Sequence, residues 1–160
     1  MIQNIDRFTT EPEVLYPLLA KQLAALTQGT GNTVANLANA SALLAMALAD
    51  INWVGFYLAQ GDKLILGPFQ GRPACVEIPF GRGVCGTAAR ENRIVLVPEV
   101  CRFPGHIPCD SRSRSEIVIP LTKHDRVAAV LDIDSPTPGR FGPADQDGLC
   151  QLIPTLEGLL

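Results

Sequence analysis

Five cysteines, Cys75, Cys85, Cys101, Cys109 and Cys150, are the most reactive side chains in this 160-residue sequence. An odd number cannot close into a fully paired disulfide framework. The first residues, Met1-Ile2-Gln3-Asn4-Ile5-Asp6-Arg7, lack the basic and apolar regions of a secretory signal, so the expected compartment is the cytoplasm. Thiols there stay reduced unless they cycle during catalysis, which leaves redox work or metal binding. Cys109 has His106, Arg112 and Arg114 near it in sequence, all able to favour a thiolate. Cys85 lies where Gly81 and Gly83 open a predicted helix, whose dipole favours the same anion. Cys150, on the apolar side of a predicted C-terminal helix, reads as a small hydrophobe. Cys101-x4-His106-x2-Cys109, with Cys75 or Cys85 as a fourth ligand, is a zinc pattern, but it lacks a Cys-x2-Cys knuckle. A protease-like Cys109–His106 pair has an unfavourable spacing for a relay. Redox thiols, above all Cys75, Cys85 and Cys109, are the most economical reading.

Acids and aromatics supply the second set of candidates. In Val130-Leu131-Asp132-Ile133-Asp134, strand alternation puts Asp132 and Asp134 on one face and Leu131 and Ile133 on the other. The pair reads either as a strand end emerging into solvent or as two carboxyls that bind a cation or share a proton. Glu116 begins the neighbouring predicted strand and can lie across from them. Three acids together would raise at least one pKa, which suits a proton donor near neutral pH; they would equally suit an ammonium group. Trp53 and Tyr57 share one strand face with Gly55 between them. Such aromatics are core or a ligand wall, and the glycine leaves room for close approach to the backbone.

These residues must be positioned by the following elements. Residues 10–28 read as a helix with a capping box at Thr10 and Glu13, in which Pro17 delays the start or bends the axis. A second helix spans 33–48, with Val34, Leu37, Leu44 and Leu48 on one side. Residues 51–58 alternate as a strand, Gln60-Gly61-Asp62 turns, and Lys63 to Leu66 pairs back. Gly67-Pro68 breaks the sheet, and a short strand follows over 74–78. A helix runs from Gly83 to about Glu91, and Ile94 to Val97 is a strand. The segment 98–115 has no periodicity, a length that usually marks a functional loop. Glu116–Leu121 and Arg126–Ile133 pair around Lys123-His124-Asp125, and 144–160 closes the chain as one helix. The fold class is therefore α+β, one domain over 1–160. Its central sheet is mainly antiparallel, with terminal helices on one face and ligand-covering loops on the other.

Composition narrows the function. A net charge of −3 and a pI near 5.3 give no basic footprint for nucleic acid. The longest nearly apolar run, Ala40 to Ala49, is too short to span a bilayer, so no membrane role is expected.

Taken together, the motifs resemble the free methionine-(R)-sulfoxide reductases, enzymes built on a single GAF domain. The carriers are Trp53-Val54-Gly55-Phe56-Tyr57, Leu66-Gly67-Pro68-Phe69-Gln70-Gly71, Ala74-Cys75 and Gly81-Arg82-Gly83-Val84-Cys85-Gly86-Thr87-Ala88. They continue with Phe103-Pro104-Gly105-His106-Ile107, Cys109-Asp110-Ser111, Ser115-Glu116-Ile117-Val118 and Val130 to Pro136. The cysteine spacing Cys-x9-Cys-x23-Cys is specific, and the likeness covers essentially the whole chain. The resemblance implies that Cys109 attacks the sulfoxide sulfur and that Cys75 resolves the resulting sulfenic acid to a disulfide. Thioredoxin then reduces that disulfide. By the same resemblance Cys85 relays the disulfide or supports the site. Glu116, Asp132 and Asp134 hold the substrate, with Glu116 and Asp132 also counted as catalytic, and Trp53 and Tyr57 wall its methyl group. By the same resemblance the substrate is free methionine-(R)-sulfoxide and no cofactor and no metal are implied; related domains often pair through their terminal helices, which admits a homodimer without fixing the oligomeric state. Cys101 lies outside the pattern and, being near Cys109, is a rival resolving thiol. The competing reading is a GAF module that binds or senses a small ligand.

Overall fold

The structure is a computed structural model that describes residues 8–107 and 109–160. The N-terminal heptapeptide read above for export signals lies outside the described residues. Helix α1 spans Pro12–Thr27 and α2 spans Thr33–Ala47. Strands β1 (Trp53–Gln60) and β2 (Lys63–Gly71) form a hairpin, and β3 (Glu77–Pro79) adds to β2. Helix α3 (Gly83–Glu91) leads to β4 (Val95–Val97) and a 3-10 turn, Val100–Arg102. Strands β5 (Ser115–Lys123) and β6 (Arg126–Ser135) precede α4 (Pro143–Cys150) and α5 (Ile153–Glu157).

The six strands lie in the order β3-β2-β1-β6-β5-β4, every neighbouring pair antiparallel. Alternation sends Val54, Phe56, Ile117, Ile119, Leu121, Ala129, Leu131 and Ile133 to one face, where they are buried with α1, α2, α4 and α5. Full burial of side chains such as Phe56 and Leu131 contributes about 1.5–3 kcal/mol each. The opposite face carries Trp53, Tyr57, Val118 and Val130, covered by α3 and the 98–114 segment. This is the expected α+β arrangement. Pro120 sits in β5 without breaking it, because β4 pairs only with Glu116, Ile117 and Val118 and leaves the position beyond unclaimed.

Four local expectations change. The Thr10–Glu13 capping box does not form: Pro12 starts α1, Glu11 precedes it without a side-chain cap, and Pro17 is carried inside the helix. In α2 Val34 is 63% exposed rather than packed, since Ala and Leu at most positions leave the apolar stripe undefined. Gly67-Pro68 does not end the hairpin. Gly55 pairs with Phe69 and Tyr57 with Leu66, so the dipeptide adds one residue as a bulge on β2. The closing helix divides at Gln151–Leu152, because Pro154 has no N–H to continue the ladder begun by α4.

Gly55 does not leave space for a ligand. A Cβ there would run into Phe69 Cβ and lie 2.8 Å from Trp53 Cη2, so the chain's own aromatics fill the gap. Gly55→Ala should therefore lower stability by about 1–3 kcal/mol through overpacking. It should also shift the emission of Trp53, the single tryptophan. Urea denaturation followed by fluorescence tests both effects, and a parent-like midpoint would show that Phe69 can yield.

Candidate active site

Strand register assembles the acids. Asp134 pairs with Trp53 on one side and Glu116 on the other, while Asp132 lies between Gly55 and Val118. With side chains alternating, Glu116, Asp132 and Asp134 all emerge on the face that holds Trp53 and Tyr57. Helix α3 brings Cys85 onto the same face, and the 98–114 segment brings Cys109 over it. One cavity is lined by Trp53, Tyr57, Cys85, Cys109 and the three acids. Cys75 is not in that lining, but its neighbours Pro73 and Ala74 are. The expected site residues therefore gather in one place, and the two carboxyls of β6 do not emerge into open solvent.

The aromatics form a stack across β1 and β2. Trp53 lies 5.2 Å from Phe69 and 5.9 Å from Tyr57, centroid to centroid. Hydrogen bonds hold the stack: Trp53 Nε1 donates to the Arg72 carbonyl at 3.1 Å, and Tyr57 Oη donates to the Cys75 carbonyl at 3.0 Å. Tyr57 thus fixes the backbone of a redox candidate while its ring faces the cavity. Burial, then the nearby acids, raises its pKa, so it remains a neutral donor.

Glu116 and Asp132 are each only 6% exposed. Burial, followed by repulsion from the other carboxyls, pushes Glu116 and Asp134 well above the usual carboxylate range. Asp132 rises to about 6, also through burial, but hydrogen bonds from Cys85 and Glu116 hold it below its neighbours. Near neutral pH the group therefore contains protonated acids beside one carboxylate. Asp132 Oδ1 is buried without a hydrogen-bond partner among the described residues, on a side chain that lines the cavity.

Cys85 reverses its sequence expectation. It does begin α3, but its Sγ is buried and lies 3.9 Å from Glu116 Oε1. Desolvation and then the charges of Asp132 and Glu116 push its pKa well up. A helix terminus offers about half a charge, which cannot outweigh burial next to acids. Cys85 is a thiol, not a thiolate.

Cys75 and Cys109 are joined by a disulfide, with Cα atoms 5.6 Å apart. Asp110, next to Cys109, takes hydrogen bonds from Asn52 Nδ2 at 3.2 Å and from Arg112. Asn52 also donates to Ser113 at 3.1 Å, tying the start of β1 to this loop. Arg112 pairs with Asp110 and Arg114 with Glu99. Both cations expected to favour a Cys109 thiolate are thus engaged elsewhere. His106 lines the cavity with its pKa lowered by burial, so it is neutral. Cys101, His106 and Cys109 do not gather as a group of metal donors among the described residues: Cys109 is bonded to Cys75 and exposed Cys101 donates to Glu99. Asn52 and Ser113 escaped the sequence analysis, which named Asp110 only as part of a motif and gave it no role. Short polar residues at a strand entry and in a loop give no pattern until the two segments meet.

The sequence matches the GAF domain family over residues 22–156. It is 52% identical over 145 residues to the free methionine-R-sulfoxide reductase of Escherichia coli, covering 91% of this chain and 88% of that protein. The Saccharomyces cerevisiae protein of the same name is 45% identical over 157 residues, covering 93% and 87%. The structure of the Neisseria meningitidis free methionine-R-sulfoxide reductase in complex with its substrate superposes with a TM-score of 0.93. That pair is 40% identical, covering 99% of this chain and 95% of the other.

Because folding raises these carboxyls, the folded protein holds their protons more tightly than the unfolded chain. Stability is then fullest below the unfolded values and falls as pH rises through the folded ones. For Asp132 the loss runs between about pH 4 and about pH 6 and amounts to roughly 3 kcal/mol. Asp132→Asn should flatten that fall and gain stability at neutral pH relative to the parent. Denaturant midpoints measured across the range test this; an unchanged slope would mean that Asp132 ionises as freely as in the unfolded chain.

Proposed function

Since the chain belongs to the GAF domain family, and within it to the free methionine-R-sulfoxide reductases, we propose that it reduces free L-methionine-(R)-sulfoxide to methionine with its own cysteines. The 160 residues are read as one such domain. The observation that carries the reading is a bonded Cys75–Cys109 pair at a cavity that Glu116, Asp132 and Asp134 also line.

In this reading Cys109, once reduced, attacks the sulfoxide sulfur while a protonated carboxyl hydrogen-bonds the sulfoxide oxygen and supplies a proton. Glu116 suits that part because burial and its neighbours keep its proton in place. The oxygen passes to Cys109 as a sulfenic acid, and methionine leaves reduced by two electrons. Cys75 then attacks the sulfenic sulfur, the S–S bond forms, and the oxygen departs as water. A dithiol reductant returns both thiols, and thioredoxin fits that need. Asp132, with the lowest pKa of the three and an unpartnered oxygen, pairs with the substrate α-ammonium; Asp134 stands beside it. Trp53 and Tyr57 face the methyl group. Cys85 supports the acids as a neutral thiol. Cys101, outside the cavity and bonded to Glu99, has no part in resolution.

Peptide-embedded methionine sulfoxide lacks the α-ammonium, so Asp132 Oδ1 would stay buried without a partner. Such an unmet group costs about 1–3 kcal/mol, which favours the free amino acid. Exposed Val14 and Leu18 on α1 and Val34 and Met46 on α2 support pairing of two copies through these helices. No helix among the described residues is long and apolar enough to cross a membrane. A cytoplasmic setting fits an enzyme that depends on thioredoxin.

Turnover of racemic free methionine sulfoxide, coupled to thioredoxin, thioredoxin reductase and NADPH, tests the assignment with a sulfoxide peptide as control. Half of the racemate should react and the peptide should not. Cys109→Ser should abolish activity, and Cys75→Ser should release about one methionine per enzyme without cycling. Full activity in Cys109→Ser would defeat the mechanism. Glu116→Gln should lower kcat by roughly two orders of magnitude and remove the basic limb of the pH–rate profile. An unchanged profile would assign the proton to another group.

A further inference from the structure

Cys85 Sγ and carboxylate oxygens of Glu116 and Asp132 all lie within 4.8 Å of one another, each residue buried. The donors come from three separate elements, α3, β5 and β6, so none is an accident of sequence adjacency. Cys85 Sγ lies 3.9 Å from Glu116 Oε1. In a tetrahedral zinc site, bonds of about 2.0–2.3 Å place donors roughly 3.5 Å apart, so groups within 4.8 Å of one another need to close by no more than about 1.3 Å. Asp132 Oδ1 adds an independent sign: it is an acceptor with no partner among the described residues, on a side chain that is only 6% exposed and lines the cavity.

We propose that Cys85, Glu116 and Asp132 form a binding site for a thiophilic divalent cation of the zinc class, overlapping the substrate cavity. One thiolate and two carboxylates select zinc or cadmium over magnesium or calcium, which take oxygen ligands. On binding, the S–H bond of Cys85 breaks, the metal–sulfur bond forms, and the proton leaves to solvent with any carried by the carboxyls. No electron is transferred. Three anionic donors around a dication remove the like-charge repulsion that burial imposes on the acids alone. Cys109 lines the same cavity, so in the reduced protein its thiolate is available as a second sulfur ligand. The consequence for turnover rests on the reductase reading above: the ion takes both Asp132 and Glu116 and competes with free methionine sulfoxide.

Cadmium serves as the probe, since its bonds to thiolates give an ultraviolet charge-transfer band. The protein is titrated in its Cys75–Cys109 disulfide form, with Cys101→Ser and Cys150→Ser removing the other free thiols. A saturable band of one-thiolate intensity is expected, absent in Cys85→Ser. Glu116→Gln and Asp132→Asn should each weaken binding by more than about tenfold, given that even outer partners of metal ligands matter at that scale. Circular dichroism checks that each variant is folded. Free methionine sulfoxide added to the cadmium-loaded parent should displace the ion, an arm that does not depend on any variant. No band in the parent, a band surviving in Cys85→Ser, or parent-like affinity in both carboxylate variants would overturn the site. Activity without any band would remove the metal site alone. A band that methionine sulfoxide does not displace keeps the metal site and instead removes the substrate from this cavity.

Discussion

The register that places Asp134 between Trp53 and Glu116 governs the rest of the molecule. It commits one face of three central strands to apolar packing and the other to three neighbouring carboxyls. A slip of one residue would turn Ile117, Leu131 and Ile133 into the cavity and drive the acids into the helix-packed core. The hydrophobic face therefore holds the acid face in place, and burial of the acids costs stability that the other face must offset. Such a cost persists where a function requires it.

Division of labour follows from this. The acids stand on paired strands, where position is fixed by ladder hydrogen bonds on both sides. The bonded thiols come from connecting segments: Cys75 lies between β2 and β3, and Cys109 lies between the 3-10 turn and β5. Chemistry that makes and breaks a bond between two side chains requires that they separate and meet; strand positions would forbid it. The cysteine loop is nonetheless anchored. Val100 N donates to the Arg114 carbonyl, Arg114 N to that of Ser135, and Asn52 binds Asp110 and Ser113. Anchors on both sides of Cys109 aim it at the cavity without holding the sulfur itself.

Much of this was legible in the sequence, because period-two alternation is a direct consequence of strand geometry. It paired Trp53 with Tyr57 on one face and Asp132 with Asp134, and it set Glu116 across from them. The errors have a common origin in effects that only tertiary contact decides. Gly67-Pro68 reads as a break until Gly55 and Tyr57 are seen to bridge it as a bulge. Arg112 and Arg114 read as partners of Cys109 until Asp110 and Glu99 claim them. Gly55 reads as vacant space, yet Phe69 and Trp53 occupy it.

Cys85 is the clearest case, and it sharpens what the site can do. Sequence placed it at a helix N-terminus, where partial positive charge lowers a thiol pKa. Burial and two carboxyls act in the opposite direction and dominate, since desolvation alone can shift a fully buried group by several units. A protonated Cys85 is a poor nucleophile but a donor to Glu116, and it holds one of the lone pairs of an acid that would otherwise be unmet. The hydrogen bond from that neutral thiol favours the ionised form of the acid that accepts it, while burial and mutual repulsion keep the acids from ionising together. The helix start that the sequence offers as an activator of a third thiol instead presents a proton, and Cys85 stays outside the Cys75–Cys109 bond.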